Sequence, residues 1–247
     1  MSVGFNTYDV IVNGVSLYQK GFLCVKRPNM SAPQKRYKSY SVEGRDGSLY
    51  KDTGNYEDLE LSFTFNYMTD EDHWNAKYRE IQSFLSNART LMVSDDKGGY
   101  RKIKKVSVGE CKRESKRKGE FTVVFTVEPY FYRDMSIDVE SDQWIRLHNP
   151  YGTAKPVYHI KVKTAAMRSS NEGFIVRGSK GRIDFVTTKD ITIDTELQIA
   201  YFTDDKSNAN KCISGDFEDM WLENGLNLVA CSDGYTLSVE VNWREVG

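Results

Sequence analysis

Histidine, closely spaced cysteine and long apolar runs are what this chain has least of, and each shortage excludes a class of chemistry. The 3 histidines, His73, His148 and His159, are scattered, and none stands at metal-ligand spacing from a cysteine or carboxylate, so they read as structural residues. The 4 cysteines, Cys24, Cys111, Cys212 and Cys231, include no pair at the spacing of a zinc knuckle or redox motif and read as buried thiols. No nucleophile elbow, His-Glu-x-x-His helix or phosphate-binding glycine loop occurs. The longest apolar runs, such as Thr122 to Val127, are strand-sized and far short of a membrane-spanning helix. Met1-Ser2-Val3-Gly4-Phe5-Asn6 lacks the basic start and apolar core of a signal peptide, which predicts folding in the cytoplasm of the cell that makes it. Neither charge dominates: the net charge is −1, with residues 1–134 holding 22 Lys and Arg against 18 Asp and Glu, and residues 135–247 holding 12 against 17. Such an asymmetry permits several partners and requires none.

A glycoside hydrolase needs two carboxylates held apart across a cleft. Asp204-Asp205 and Asp216, Glu218 and Asp219 supply carboxylates, but in Asn-, Gly- and Ser-rich loops that read as solvated turns. The expectation is therefore a protein with no catalytic residue, no metal, no cofactor and no membrane insertion.

What is present is a soluble, aromatic-rich, strand-forming chain. Aromatic residues reach 13% and charged residues 28%, too many large apolar groups for a disordered chain and too many charges for a membrane protein. A length of 247 residues suits one large all-β unit or two domains of ordinary size. Asn13-Gly14 between the apolar runs Asp9–Val12 and Val15–Leu17 predicts an opening hairpin. A polar stretch, Pro28 to Lys38, reads as an exposed loop or arm. Gly44-Arg45-Asp46-Gly47 follows as a tight strand-to-strand reversal, because glycine accepts positive φ without steric penalty. Leu59, Leu61, Phe63 and Phe65 then alternate with polar residues, the period of a strand with one buried face.

Thr69-Asp70-Glu71-Asp72 opens the one convincing helix, with Thr69 or Asp70 as cap and the acidic residues at the favourable end of the dipole. Trp74, Tyr78, Ile81 and Leu85 give it an apolar face that covers a sheet. Strands are predicted at Thr90–Val93, Tyr100–Val108 and Glu120–Val127, with a turn at Asp95-Asp96-Lys97-Gly98-Gly99. Between the last two lies Lys112-Arg113-Glu114-Ser115-Lys116-Arg117-Lys118. It reads as a solvated hairpin tip, and as a candidate subunit or partner contact through Lys112, Arg113, Lys116, Arg117 and Lys118. No aromatic residue interleaves these charges as a nucleic-acid stacking platform requires.

Pro129 breaks the strand pattern, and the domain boundary is placed there, giving residues 1–134 and 135–247. The second half reads as short strands throughout: Ile137–Val139, Trp144–Leu147, Val157–Val162, Phe174–Arg177, Arg182–Val186, Ile191–Ile193, Leu197–Tyr201, Asn210–Ser214, Asn227–Ala230 and Tyr235–Trp243. So many strands without a helix imply a sandwich or closed barrel.

The Asn13-Gly14 hairpin, the Gly44-Arg45-Asp46-Gly47 turn, the single helix, Pro129-Tyr130-Phe131-Tyr132, Asn149-Pro150-Tyr151-Gly152 with Pro156, and the ending Ile193-Asp194, Gly215-Asp216-Phe217, Trp221-Leu222 and Gly225-Leu226-Asn227 occur in one order over nearly the whole chain. In this the sequence resembles the distal tail proteins of long-tailed siphophages. The resemblance implies a mainly β protein with an N-terminal β domain carrying one α-helix, which forms a ring, followed by a galectin-like β-sandwich. It implies a structural virion component, a homo-hexamer at the distal end of the tail tube in the tail tip or baseplate. The implied partners are the tail tube protein, the tail-associated lysin or tail-tip protein, and receptor-binding proteins used in host attachment. The resemblance further implies that DNA leaves through the ring lumen without sequence-specific binding. The polar arm from Arg27 to Tyr40 and the strand edges of residues 1–134 are the candidate subunit surfaces, since a cyclic ring needs two different complementary ones.

His148-Asn149-Pro150 has the form of a galectin sugar-site tripeptide, but the remainder of that site is missing, so the fold transfers and lectin activity does not. The alternative function is a carbohydrate-binding module of the tail tip that contacts cell-wall glycans, with Trp144, Tyr151 or Trp221 stacking on sugar rings.

Overall fold

The computed structural model describes residues 8–133, 136–137, 144–163 and 172–247. The protein is mainly β with one α-helix among these residues, and it divides into two compact units, Met1–Tyr132 with Val246–Gly247, and Arg133–Glu245.

In the first unit the strands are β1 (Val10–Val12), β2 (Val15–Ser16), β3 (Phe22–Lys26), β4 (Lys35–Ser41), β5 (Ser48–Tyr56) and β6 (Leu59–Met68). After the helix α1 (Trp74–Ser86) come β7 (Thr90–Val93), β8 (Asp96–Val108), β9 (Lys112–Arg113), β10 (Lys118–Val127) and β11 (Tyr130–Tyr132). The main sheet runs β2-β1-β7-β8-β10-β6-β3, with β9 on β10 and β11 on β8, while β4 and β5 form a separate two-stranded sheet.

Its centre is the β6–β10 pair, in register from Leu59↔Val127 to Met68↔Lys118. Alternation decides which face is buried: Leu61, Phe63, Phe65, Phe121, Val123 and Phe125 are at most 3% exposed. Phe63 meets Phe125 edge-on with centroids 5.7 Å apart, and Phe65 stacks on Phe121 at 5.8 Å. Rings so buried each contribute on the order of 1.5–3 kcal/mol relative to exposure. The helix lies over this core through Trp74, Ile81 and Leu85, with Tyr78 half-buried beside Phe121.

The Asn13-Gly14 hairpin is present, with φ of 51° and 77° at its two turn residues. Elsewhere the first unit departs from expectation. The helix begins with a single 3-10 turn, Glu71–His73, and neither Thr69 nor Asp70 caps it through its side chain; the Asp70 carboxylate is taken by Arg117. The polar stretch becomes strand from Lys35 onward. The expected turn over residues 95–99 is shorter, because β8 already pairs with β7 at Val93↔Asp96.

In the second unit the strands are β12 (Ser136–Ile137), β13 (Ile145–Asn149), β14 (Val157–Val162), β15 (Glu172–Arg177) and β16 (Gly181–Val186). They continue as β17 (Ile191–Asp194), β18 (Ile199–Phe202), β19 (Ile213–Gly215), β20 (Gly225–Cys231) and β21 (Tyr235–Glu240). Two sheets, β12-β21-β14-β17-β18 and β13-β20-β15-β16-β19, form a β-sandwich. Tyr158, Ile160, Ile193 and Leu237 from the first meet Leu147, Ile175, Phe185 and Val229 from the second in one buried core.

Of the strand expected at Ile137–Val139, only Ile137 lies among the described residues. Asn210–Cys212 is a 3-10 turn and not strand. The strand expected at Tyr235–Trp243 ends at Glu240, Asn242 takes a φ of 48°, and a further short strand, Arg244–Val246, pairs with β11, although Leu237, Val239, Val241 and Trp243 are all buried as their alternation predicts. Of the four thiols only Cys231 is buried; Cys24, Cys111 and Cys212 are half-buried, and all four are free.

Candidate interaction surfaces

The most unusual element is the hairpin of β4 and β5. All seven residues of β4 are exposed, and so are most of β5. Gly44 (φ 78°) and Gly47 (φ 77°) make the reversal, and Arg45 N–H donates to Val42 O at 3.2 Å. Among the described residues, neither Arg45 nor Asp46 has an ion pair or side-chain hydrogen bond. The hairpin is tied internally: Lys35 Nζ lies 2.9 Å from Asp52 Oδ2, and Thr53 Oγ1 donates to Arg36 O at 2.8 Å. The Gly54 N–H, and then Lys35, hold the Asp52 carboxyl below its ordinary range. Large apolar side chains nonetheless face solvent: Tyr37 is 55% exposed, Tyr40 49%, Leu49 40% and Tyr50 71%. A two-stranded hairpin without a core is marginal in water.

Where the chain enters this arm, a cavity of about 240 Å³ opens in the first unit. Leu61, Phe63, Leu91 and Phe131 line it, together with Arg27, Pro28 and Met30 of the arm's root and the carboxylates Asp95 and Asp96. Arg27 lies over the Tyr8 ring at 4.2 Å and reaches Asp95 Oδ2 at 3.4 Å. Burial first, and Asp95 next, push the Tyr8 phenol well above its ordinary range. Arg101, 6% exposed, donates from Nη1 to Gly247 O.

The basic tract sits on the β9–β10 hairpin and is largely engaged within the unit. Arg117 Nη2 meets Asp70 Oδ1 at 2.9 Å, Lys116 reaches Glu71 at 3.7 Å and Lys118 reaches Glu114 at 2.5 Å. Arg113 lies over the Trp74 ring at 5.0 Å. Lys112 has no ion pair among the described residues. The acidic helix start missed as a cap is thus the counterpart of this tract.

In the second unit, Asn149 turns inward, fully buried. Its Nδ2 donates to Gly152 O at 2.7 Å and Leu222 O at 3.1 Å, and its Oδ1 accepts from Tyr151 N at 3.0 Å. It builds the turn after β13, whereas His148 faces outward. Of the aromatics considered for stacking, Trp144 is 54% exposed, while Tyr151 and Trp221 are half-buried, the latter donating its indole N–H to Thr195 O at 3.1 Å. The loop carboxylates serve their own turns: Asp216 Oδ1 accepts from Glu218 N at 2.9 Å and Asp205 Oδ1 from Ser207 N at 2.9 Å. His159 bridges Thr192 Oγ1 at 3.2 Å and Glu240 Oε1 at 2.9 Å, a pairing that sequence separation hid. Among the described residues no cluster of side chains fit to hold a metal occurs, and no helix is long and apolar enough to cross a membrane.

A helix-bearing β unit followed by a β-sandwich is a fold seen in solved proteins, and seven solved chains match this one. One is the Dit (gp 19.1) protein of SPP1, described as a paradigm of the hub adsorption apparatus in phages that infect Gram-positive hosts. It aligns with a TM-score of 0.66 and 13% identity over 97% of this chain and 99% of that one. No family model and no curated protein matches the sequence. At this identity the likeness is one of fold.

Proposed function

We propose that this chain is a structural subunit of a long-tailed phage virion, a distal tail protein that forms a homo-hexameric ring at the end of the tail tube. The observation that carries this reading is the fold shared with SPP1 Dit over nearly the full length of both chains, both units included. In this reading residues 1–134 form the ring wall and residues 135–247 form a galectin-like domain on the outside of the baseplate. The ring joins the tail tube protein to the tail-associated lysin, carries receptor-binding proteins for host attachment, and passes DNA through its lumen without reading it. Subunits assemble in the host cytoplasm, and no catalytic step is assigned to them.

A cyclic ring closes through heterologous contacts, so each subunit must offer two different surfaces. The exposed arm supports this, since Tyr40, Leu49 and Tyr50 have no core of their own to enter. Lys112 is the member of the basic tract best placed for an external partner, with Arg113, Lys116, Arg117 and Lys118 as flanking contacts.

Native mass spectrometry and negative-stain imaging of the purified chain test the reading, with a ring-sized oligomer as the expected result. A species that stays monomeric at the highest soluble concentration, and is absent from purified particles, overturns it. A second reading, glycan binding by the sandwich, rests on the exposed Trp144. Glycan-array binding lost in Trp144→Ala with the fold intact would support it.

A further inference from the structure

The arm has two unlike faces. Cross-strand partners share a face and residues two apart along a strand return to it. Tyr40↔Leu49 and Lys38↔Lys51 therefore lie together on one side, and Tyr37, Ser39, Tyr50 and Asp52 on the other. The first side is an apolar pair beside two cations placed directly opposite each other. Like charges in that position destabilise a hairpin, and this one has no core to offset them. Among the described residues nothing covers this face, and Lys38, Tyr40, Leu49 and Lys51 are all exposed.

The cavity at the arm's root has the complementary character. Leu61, Phe63, Leu91 and Phe131 give it an apolar lining, and two carboxylates, Asp95 and Asp96, line it together with two guanidiniums, Arg27 and Arg101, the latter donating to Gly247 O. Arg27 engages Asp95 at 3.4 Å, whereas Asp96 has no cationic partner among the described residues. At about 240 Å³ the space lies below the ~300–1,000 Å³ of small-molecule sites and suits an inserted side chain.

We infer that the Tyr40–Leu49 face of the arm seats in this cavity on a second copy of the chain, with Lys38 and Lys51 against Asp95 and Asp96. The inference rests on the ring reading and names its contact. Knob and socket are carried by every copy at different places, so the contact repeats from subunit to subunit and generates a cyclic assembly. The carboxylates relieve the Lys38–Lys51 repulsion in the same step that removes Tyr40 and Leu49 from water.

The test measures the self-association constant of the full chain by mass photometry and sedimentation. Tyr40→Ser with Leu49→Ser is expected to weaken association at least about tenfold, the scale of removing an interfacial anchor, while Tyr50→Ser on the other face changes it by less than about threefold. These residues are exposed, so the core keeps its fold. Lys51→Asp is expected to weaken association and Asp96→Lys in the same chain to restore it, a recovery that loss of apolar area alone cannot give. An oligomer indifferent to all of these variants overturns the contact and leaves the ring reading standing. A wild-type chain that never associates overturns both.

Discussion

Asn149 shows how a residue can mark a fold while looking like a site. Its side chain makes three hydrogen bonds to the backbone of its own turn and of Leu222, from a fully buried position. Truncation removes all three bonds; Leu222 O keeps the Ala154 N–H, while Tyr151 N–H and Gly152 O lose this partner, and each lost bond costs about 0.5–1.5 kcal/mol net. Asn149→Ala is therefore expected to destabilise the sandwich by roughly 2–4 kcal/mol in urea unfolding, with no selective change in glycan binding. Cys231 carries a different signature. Burial pushes its thiol from an ordinary value of 9.0 up to about 11. A group with a raised folded pKa contributes stability that is fully present below its unfolded value and lost as pH rises through the folded one. The sandwich should thus lose roughly 2–3 kcal/mol between about pH 9 and 11, measured as a falling urea midpoint. Cys231→Ala should flatten that fall, and a slope unchanged by the substitution would assign it to other groups.

At the scale of elements, a strand was legible where one face enters a core. Phe121, Val123, Phe125 and Val127 alternate with polar residues, and β10 lies where they do. The arm was not, because Lys35–Ser41 has no buried face and its strand character comes only from pairing with β5. The helix cap failed for a tertiary reason: Asp70 pairs with Arg117, forty-seven residues away in sequence. Gly99 was read as part of a turn, but a Cβ there would sit 2.3 Å from Tyr132 O and 2.4 Å from the Phe131 ring, so the glycine admits β11 against β8. Gly99→Ala should lower the stability of the first unit by about 1–3 kcal/mol through overpacking. Gly44 is the opposite case, with φ of 78° and nothing within 4 Å of an added Cβ. Gly44→Val should leave the urea midpoint of the unit unchanged and speed proteolytic cleavage of the arm, since its strain is confined to the arm's tip. A shared midpoint loss in both variants would show instead that the arm is part of the unit's cooperative core.

For the whole molecule, order carried more information than any single motif. A TM-score of 0.66 at 13% identity means that the path of the backbone is shared while most of the residues along it differ, as folds tolerate when core volume and patterning are kept. The proposed contacts were less legible, because an interface between copies leaves no period in a sequence; what it leaves is exposed apolar area and unpaired charge, and those become visible only once the fold has sorted inside from outside. The ring reading and the arm contact together make a further prediction about mixtures. A closed cycle needs every subunit to use both its surfaces, so one copy with a defective arm face breaks the cycle wherever it enters. Co-expressing the wild-type chain with the Tyr40→Ser, Leu49→Ser variant at equal levels should therefore reduce intact rings far below half, by negative-stain counting. The same mixing with Tyr50→Ser should leave the yield unchanged. A yield that falls only in proportion to the wild-type share would mean that subunits tolerate a missing arm contact, and that closure depends on the strand edges of the first unit instead.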